Sequence, residues 1–268
     1  QLVCQKTGAR LAYLEVDACG RLREGELERV VGPRTKLIAF AHASNVLGTL
    51  LSVEDVVRRA HACGAVTVMD CAQTAAHVSL RLDALGVDFA AFSGHKMYGP
   101  LGIGVLFARA GMLDALSPFL YGGEMVDQVE RGRTTFQEGP RRFEAGTPNA
   151  AGAVGLAAAV GYLAGQGQDE VRAAERRLTA RLLAGLASLD GVRVYGNPQA
   201  DADRLGVVSF TLEGTAPQDV ALVLDEAGIA IRAGTQCAQP LHRALGLQAT
   251  CRASVGLYNG ESDVDRFL

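Results

Sequence analysis

Short apolar runs with little polar alternation recur through the first half of this 268-residue chain. Strands of this kind are typically buried on both faces, as in a parallel sheet. Between the first two runs, Ser52–Cys63 has helical periodicity, acidic residues in its first turn and Gly64 at its end, which together predict a helix. Strand, helix and strand in this order predict an α/β fold with a mostly parallel sheet. The runs are Lys36–His42, Ala65–Asp70, Val87–Phe92 and Gly102–Phe107.

The second half of the chain predicts a smaller α/β unit. The stretch Phe119–Pro148 is rich in glycine and charge, lacks core periodicity and is too long for a simple connector, so we expect a functional loop there. We predict two domains, with the C-terminal part of a larger, incomplete domain at residues 1–150 and a smaller domain at residues 151–268. The second domain is predicted to contain helices at Ala150–Ala164, Asp169–Leu189 and Pro217–Ala227 and strands near Val192–Val194, Leu205–Leu212 and Ile229–Arg232.

Composition excludes several classes of function. The formal net charge is -3 and no basic run could follow a phosphate backbone, which argues against nucleic acid as a partner. No apolar stretch approaches the roughly 20 residues that span a bilayer, and the first residues do not resemble a signal peptide, so we expect a cytoplasmic protein. The 6 cysteines form no C-x-x-C pair and are too sparse for a disulfide scaffold, which favours reduced thiols.

Both ends of the sequence predict a fragment of a longer protein. Gln1–Thr7 has the pattern of the end of a helix that Gly8 closes before a strand at Arg10–Val16. At the other end, Glu261–Leu268 begins an amphipathic helix and stops after about two turns, which is too short to be stable alone.

Polar side chains follow three of the predicted strands. Ligand sites of open α/β sheets lie beyond the carboxyl ends of the strands. The first run leads to Asn45, the second ends at Asp70 with Gln73 shortly after, and the third continues into Ser93-Gly-His-Lys96. These residues are therefore the candidates for a binding site.

Lys96 and Asp70 together suggest a particular chemistry. A lysine just beyond a buried strand can form a Schiff base, since partial desolvation lowers the pKa of an amine. Lys96 alone is more simply interpreted as a surface lysine, and Asp70 alone as a helix N-cap. A carboxylate near such a lysine is also the recurring partner of the pyridinium nitrogen of pyridoxal phosphate. Ser93, His95 and the backbone of the turn then have the donors to hold a phosphate.

Among the cysteines, Cys237 is the candidate nucleophile. It lies in a short glycine-containing loop close to Arg232, which suits an accessible thiolate. Cys251 is its competitor, but Ala253–Leu257 continues it as a strand, which predicts burial. A zinc site built from Cys237, His242 and Cys251 fits no common structural-zinc spacing. The remaining cysteines lie in helical, core-like or turn contexts and are interpreted as structural: Cys4, Cys19, Cys63 and Cys71.

Six strings, in this order, make the chain resemble the group II (SufS-type) cysteine desulfurases, which are class V aminotransferase-like enzymes of pyridoxal phosphate (PLP) fold type I. The resemblance covers essentially the whole chain. It implies that residues 1–150 belong to the large PLP-binding domain and that residues 151–268 form the small domain with the reactive-cysteine loop. The strings are His42-Ala-Ser-Asn-Val-Leu-Gly-Thr49, Val68-Met-Asp-Cys-Ala-Gln73, Phe92-Ser-Gly-His-Lys-Met-Tyr-Gly-Pro100, Arg142-Phe-Glu-Ala-Gly-Thr-Pro-Asn149, Arg232-Ala-Gly-Thr-Gln-Cys-Ala-Gln-Pro-Leu241 and Cys251-Arg-Ala-Ser254.

The resemblance implies a set of cofactor ligands. Lys96 corresponds to the lysine that bonds covalently to PLP, Asp70 to the partner of the pyridinium nitrogen, and Gln73 to the donor to the phenolic oxygen. Ser93 and His95 correspond to phosphate ligands.

It also implies residues for a second subunit, the substrate and the sulfur. Thr147 corresponds to a threonine that reaches the phosphate in the neighbouring subunit of a homodimer. Asn45 and Arg252 correspond to the pair that holds the substrate carboxylate. Arg232 opens the loop that carries the sulfur-accepting cysteine, which corresponds to Cys237.

The activity implied by the resemblance converts L-cysteine to L-alanine and leaves the sulfur as a persulfide on Cys237. The persulfide would pass to an acceptor protein of the SufE or SufU type for iron–sulfur cluster assembly. A selenocysteine lyase or cysteine sulfinate desulfinase, another class V PLP enzyme and a non-catalytic dimerising relative stay open as alternatives. The intact set Lys96, Asp70, Gln73, Cys237 and Arg252 argues against a non-catalytic relative.

Two departures from the family are visible. Thr235 and Gln236 stand where many relatives have histidines before the reactive cysteine, which affects proton handling at Cys237. The opening portion of the family, with a histidine that stacks on the cofactor ring, has no counterpart in this sequence. We therefore expect the segment alone to be impaired relative to its parent protein.

Overall fold

The first sheet forms the frame of residues 1–150. The computed structural model describes residues 1–268, and its first sheet has the order β1-β2-β3-β4. β1 pairs parallel with β2 and β2 parallel with β3, whereas β4 is antiparallel to β3. The elements are α1 (Leu2–Thr7), α2 (Glu26–Val30), β1 (Leu37–Ala41), α3 (Val53–Ala62), β2 (Val66–Asp70), α4 (Leu82–Leu85), β3 (Phe89–Ser93) and β4 (Gly104–Ala108).

Helix α3 covers one face of this sheet. Its apolar stripe, which includes Val53, Val56 and Val57, is buried against β-sheet residues such as Ile38 and Met69. The predicted helix and the predicted strands β1, β2 and β3 are thus confirmed, each within about two residues.

The second sheet is antiparallel throughout and has the order β7-β8-β10-β9. Its core of buried residues joins Val208, Phe210 and Cys251 of the sheet to leucines of α6 such as Leu182 and to Val264 of α9. The elements are α5 (Ala150–Gly165), α6 (Gln168–Ser188), β7 (Val192–Tyr195), β8 (Val207–Leu212), α7 (Pro217–Glu226), β9 (Arg232–Gly234), α8 (Gln239–Ala244), β10 (Thr250–Ser254) and α9 (Glu261–Phe267).

The segment between the two sheets contains a β-hairpin that the sequence analysis missed. β5 (Val126–Glu130) and β6 (Arg133–Phe136) pair antiparallel across the two residues Arg131 and Gly132, a loop length typical of hairpins. A 3-10 helix follows at Gly139–Phe143. The expectation of a loop over Phe119–Pro148 is therefore wrong for the hairpin.

The chain that follows β1 ties the first sheet to the second. Ser209 of β8 donates from its buried hydroxyl to the carbonyl of Val46 (2.6 Å), and the amide of Leu205 donates to the carbonyl of Gly48 (2.8 Å). Gly48 has φ 72°, and a Cβ there would lie 2.8 Å from the carbonyl oxygen of Val207, so this approach requires glycine. The residues around Asn45 are consequently held by both sheets.

Three further expectations are wrong in detail. Arg10–Val16 is not a strand: only Val16 pairs, with Leu22 across a tight turn, and no other strand lies beside the segment. The strands are not all buried on both faces, because β4 is an antiparallel edge strand and leaves Leu106 57% exposed. The strand predicted at Ile229–Arg232 begins only at Arg232.

No single helix is long and apolar enough to cross a bilayer. The pair α5 and α6 would pass on combined length and composition, but the two helices are bent by 79° at the break between them.

Candidate active site

Two parallel strands deliver the predicted site residues to one edge of the first sheet. Asp70 ends β2 and lies opposite Ala91 of β3, two residues before Ser93. The amide of His42, directly after β1, donates to the carbonyl of Asp70 (2.9 Å). The residues that follow all three strands therefore meet at the carboxyl edge, where sheets of this kind bind ligands.

Asp70 uses only part of its hydrogen-bonding capacity. The side chain is exposed, and one carboxylate oxygen accepts from the amide of Ala72 (2.8 Å). The other oxygen has no partner in the protein. Asp70 thus caps the turn after β2, as its simpler interpretation predicts, and still offers an acceptor at the edge of the sheet.

A tight 3-10 turn at Gly94–Lys96 fixes the backbone of Lys96. The amide of Gly94 donates to Ile103 O (2.9 Å), and Met97, which is buried, donates back to Gly94 O (2.9 Å). A Cβ on Gly94 would lie 3.0 Å from a side-chain carbon of Ile103 and 3.1 Å from its carbonyl oxygen, so a side chain at this position would be tightly packed. His95 and Lys96 are exposed and have no ion pair or side-chain hydrogen bond. The desolvation of Lys96 expected from the sequence is thus not provided by residues of this chain.

Two further predicted cofactor ligands, Gln73 and Thr147, lie outside this turn. Gln73 is half-buried in the turn that follows Asp70, and Thr147 is exposed just before α5. Neither side chain has a hydrogen-bond partner within the chain. No hydrogen bond joins Thr147 to the other predicted site residues.

Two arginines lie side by side on neighbouring strands of the second sheet. Arg252 of β10 and Arg232 of β9 are register partners in an antiparallel pair, so their side chains lie on the same face. Arg252 donates to the carbonyl of Asn45 (3.0 Å), while its buried Nε has no partner. Burial lowers the pKa of Arg252, the charge of Arg232 lowers it further, and a negative charge on Cys237 would raise it. A bound carboxylate would relieve both the desolvation and the repulsion.

Cys237 lies at the tip of a turn that contacts the segment following β1. The turn is closed by Ala238 N donating to Thr235 O (2.8 Å), and its two central residues, Gln236 and Cys237, have φ values of 52° and 60°. Cys237 is exposed, whereas the other cysteines are buried or half-buried. The side-chain amide of Asn45 donates to the carbonyl of Gln236 (2.5 Å). The thiol-bearing turn therefore lies beside the segment that follows β1.

The competing thiols are buried. Burial raises the pKa of Cys71 and that of Cys251 to about 11, so neither forms a thiolate readily. His242 is also buried and lies against Ala238 O (3.1 Å) and Thr250 Oγ1 (3.2 Å). Cys237, His242 and Cys251 form no metal-binding group.

The sequence analysis missed two contacts that connect the sheets near the site. Tyr98, two residues after Lys96, accepts a hydrogen bond from the amide of Leu257 (3.0 Å) and packs edge-on against Tyr258. The imidazole of His77 lies 2.7 Å from the buried carboxylate of Glu175 on α6. No local pattern in the sequence predicts either contact, because each joins residues far apart along the chain.

The sequence matches one protein family over nearly its whole length. The family model described as aminotransferase class-V matches residues 1–267. A protein described as probable cysteine desulfurase from Halalkalibacterium halodurans is 45% identical over 265 residues, which is 99% of this chain and 64% of that protein.

Two solved structures are similar over nearly the whole chain. The apo structure of a cysteine desulfurase from Thermococcus onnurineus NA1 has a TM-score of 0.95 and 39% identity, over 99% of this chain and 66% of that one. The cysteine desulfurase CsdA (S-sulfonic acid) from Escherichia coli has a TM-score of 0.93 and 38% identity, over 99% of this chain and 65% of that one. The chain thus spans slightly less than two thirds of the length of these relatives.

Proposed function

Because the chain belongs to the class V aminotransferase family, we propose that its protein is a PLP-dependent cysteine desulfurase. The proposed reaction converts L-cysteine to L-alanine and leaves the sulfur on Cys237 as a persulfide, which supplies iron–sulfur cluster assembly. The relatives described as cysteine desulfurases support this assignment. The hydrogen bond from Asn45 to Gln236 (2.5 Å) is the observation that carries it, because that bond joins the segment that follows β1 to the turn that bears the exposed thiol.

The donor set at that edge fits PLP. Asp70 has a carboxylate oxygen free to accept from a protonated ring nitrogen, and Lys96 has an amine without an ion pair. Ser93 and His95 border the turn and can donate to a phosphate, with Gln73 as the donor to the phenolic oxygen. When bound, PLP supplies an aldehyde for the substrate amine and a ring that accepts electrons from the substrate Cα.

Lys96 and Asp70 have different roles in proton transfer. The Nζ of Lys96, once neutral, removes the proton from the substrate Cα and returns a proton during formation of alanine. The Asp70 carboxylate would hold the ring nitrogen of PLP and favour its protonated form, because a nearby anion stabilises a positive charge. The turn around Gly94 holds Lys96 at the edge of the sheet for this role.

Arg252, Arg232 and Asn45 orient the substrate. The unpartnered Nε of Arg252 and the neighbouring guanidinium of Arg232 form a positively charged position next to the amide of Asn45. A planar guanidinium can bind a carboxylate through two parallel hydrogen bonds. Binding of its carboxylate at this position would fix the orientation of the substrate amino acid, including its side chain.

Cys237 accepts the sulfur. Its Sγ, as thiolate, attacks the sulfur of the substrate, so that a sulfur–sulfur bond forms while the bond between that sulfur and the substrate Cβ breaks. The electron pair of the broken bond stays with the carbon, which takes up a proton. One L-cysteine and one enzyme thiol thus give one L-alanine and one enzyme persulfide, with no external oxidant.

The quaternary arrangement and the acceptor belong to the same proposal. Thr147 is exposed and free of partners in its own chain, as a residue that reaches the phosphate of a neighbouring subunit would be. Phe119 and Tyr121 are also exposed in the same segment, and large apolar side chains at a surface favour association, here as a homodimer. An acceptor of the SufE or SufU type would take the persulfide from the exposed turn. The division near residue 150, between a PLP-binding domain and a small cysteine-carrying domain, completes the proposal.

Alanine formation by the full-length protein tests the function. Lys96→Ala should abolish alanine production from L-cysteine, and Cys237→Ala should do the same, while Cys19→Ala serves as a matched control at a partly buried cysteine in another turn. Selenocysteine should be measured in parallel, since equal loss in Cys237→Ala on both substrates would exclude a selenocysteine lyase. Wild-type alanine production from L-cysteine by Cys237→Ala would contradict the proposed sulfur transfer.

A further inference from the structure

The turn that carries Cys237 is held in a conformation that its residues do not favour. Gln236 and Cys237 both adopt left-handed backbone angles, with φ 52° and 60°. Residues with a Cβ rarely occupy this region, and two in succession persist only where the surroundings hold them. The contacts of this turn therefore control where the thiol lies.

Gln236 supplies those contacts. Its side chain is 4% exposed, with Nε2 placed 3.4 Å from both Gly234 O and Thr250 O. Its backbone carbonyl accepts the hydrogen bond from Asn45 Nδ2. Its side-chain oxygen is buried and has no partner. One buried glutamine thus anchors the thiol turn, and one hydrogen bond ties the turn to the first sheet.

The hydrogen bond from Asn45 to Gln236 is the second of two consecutive hydrogen bonds, and the first one comes from Arg252. Arg252 Nη1 donates to Asn45 O (3.0 Å), and Asn45 Nδ2 donates to Gln236 O (2.5 Å). The three residues come from β10, from the segment after β1 and from the thiol turn. A ligand that accepts hydrogen bonds from Asn45 and Arg252 therefore competes with the carbonyl of Gln236 for the amide of Asn45.

We infer that Gln236 is a positioning residue that couples carboxylate binding at Asn45 and Arg252 to release of the Cys237 turn. A carboxylate is a stronger acceptor than a neutral carbonyl, so it draws the Asn45 amide away from Gln236. The strained turn then leaves its position and Cys237 gains freedom to reach the substrate sulfur. The inference rests on the proposed function for the identity of the carboxylate as that of the amino acid substrate.

Alkylation of Cys237 in the full-length protein measures the release. The probe is propionate, a carboxylate with neither an amine nor a thiol, compared with chloride at equal ionic strength. Propionate should raise the rate of alkylation by iodoacetamide at Cys237 in the wild type by roughly two- to tenfold, the range set by losing one hydrogen bond of ordinary strength. Binding of propionate is followed separately by calorimetry.

Variants at Gln236 separate coupling from a structural effect. Gln236→Ala removes the side-chain anchor but keeps the backbone carbonyl that accepts from Asn45, so the rate without propionate should rise and the response to propionate should be smaller than in the wild type. Gln236→Asn keeps an amide and tolerates the left-handed region, so it should restore part of the response. Gln239→Ala, at an exposed glutamine in the adjacent helix α8, should behave as the wild type. Thermal unfolding of each variant checks that it is folded.

The outcomes distinguish the two claims. Propionate binding without a change in alkylation, or an unchanged response in Gln236→Ala, would overturn the coupling and leave the proposed desulfurase activity untouched. Absence of propionate binding would remove the carboxylate site and with it both the coupling and the proposed substrate anchor.

Discussion

Replacing Asp88 with asparagine tests whether one buried carboxylate stabilises the first sheet. Asp88 precedes β3 at the amino end of the sheet and is 1% exposed. It accepts from Thr67 N (2.8 Å) and Thr67 Oγ1 (2.9 Å) and pairs with Arg109 (2.5 Å) and His61 (3.0 Å). Burial alone would raise the pKa of Asp88, but these hydrogen bonds outweigh it and hold the pKa well below its usual value.

The expected cost follows from which partners are shielded from water. The side chains of Arg109 and His61 are 50% and 39% exposed. Solvent screening therefore leaves their interactions with Asp88 only a small part of the stabilisation. Thr67 is fully buried, and an asparagine must turn its NH2 group toward either Thr67 or Arg109, both of which are donors. We expect Asp88→Asn to lower the free energy of unfolding by about 2–4 kcal/mol at neutral pH, measured by urea unfolding. In a thermal scan this is a fall of roughly 5–15 °C.

The pH dependence fixes the sign of the effect. Because the folded pKa is depressed, the stabilisation is complete above the unfolded pKa of about 4 and is lost as the pH falls below it. The difference in free energy of unfolding between the wild type and Asp88→Asn should therefore decrease by about 1.4 kcal/mol for each pH unit below about 4, for as long as the wild type remains folded.

Asp70→Asn is the matched control at the opposite end of the sheet. Asp70 is exposed and has one hydrogen bond, so stability should change by less than about 0.5 kcal/mol while PLP-dependent activity is lost. A loss of stability in Asp88→Asn below about 0.5 kcal/mol, or a stability difference that stays constant in acid, would show that the Asp88 carboxylate does not stabilise the first sheet.

Two further substitutions or reactions test other parts of the structure. At about pH 8, iodoacetamide should alkylate Cys237 well before Cys71 and Cys251, because a pKa of about 11 leaves only about one thiol in a thousand ionised; peptide mass spectrometry reads the order, and equal rates would contradict the assigned burial. Tyr98→Phe should lower the free energy of unfolding by about 1 kcal/mol, since the amide of Leu257 loses its acceptor; urea unfolding with no shift would show that this bond does not stabilise the contact between the sheets.

Much of the fold could be predicted because local patterns and long-range packing agree. The helix Val53–Ala62 has an apolar stripe and acidic residues in its first turn, and its prediction is confirmed. The direction of β4 was not predicted, because an apolar run carries no direction. The connection between β3 and β4 is nevertheless too short for the crossover that a parallel pair needs, and loop length was the available signal.

The candidate site divides in the same way. The placement of Asp70 and Lys96 at one edge could be predicted because parallel strands of one sheet end at the same edge. The contact between Asn45 and Gln236 joins residues 191 positions apart, and the left-handed turn at Cys237 is built without glycine. Neither feature has a local sequence signal, so only the folded structure supplies them.

Lys96 and Cys237 are proposed to act on one substrate from two different sheets. Mass spectrometry of the full-length, PLP-loaded protein after a single addition of L-cysteine, without reductant, tests this proposal directly. We expect one extra sulfur atom on the peptide that contains Cys237, and none on that peptide in Lys96→Ala. An extra sulfur on a different cysteine, or none on the wild type while alanine forms, would show that the two residues do not act together.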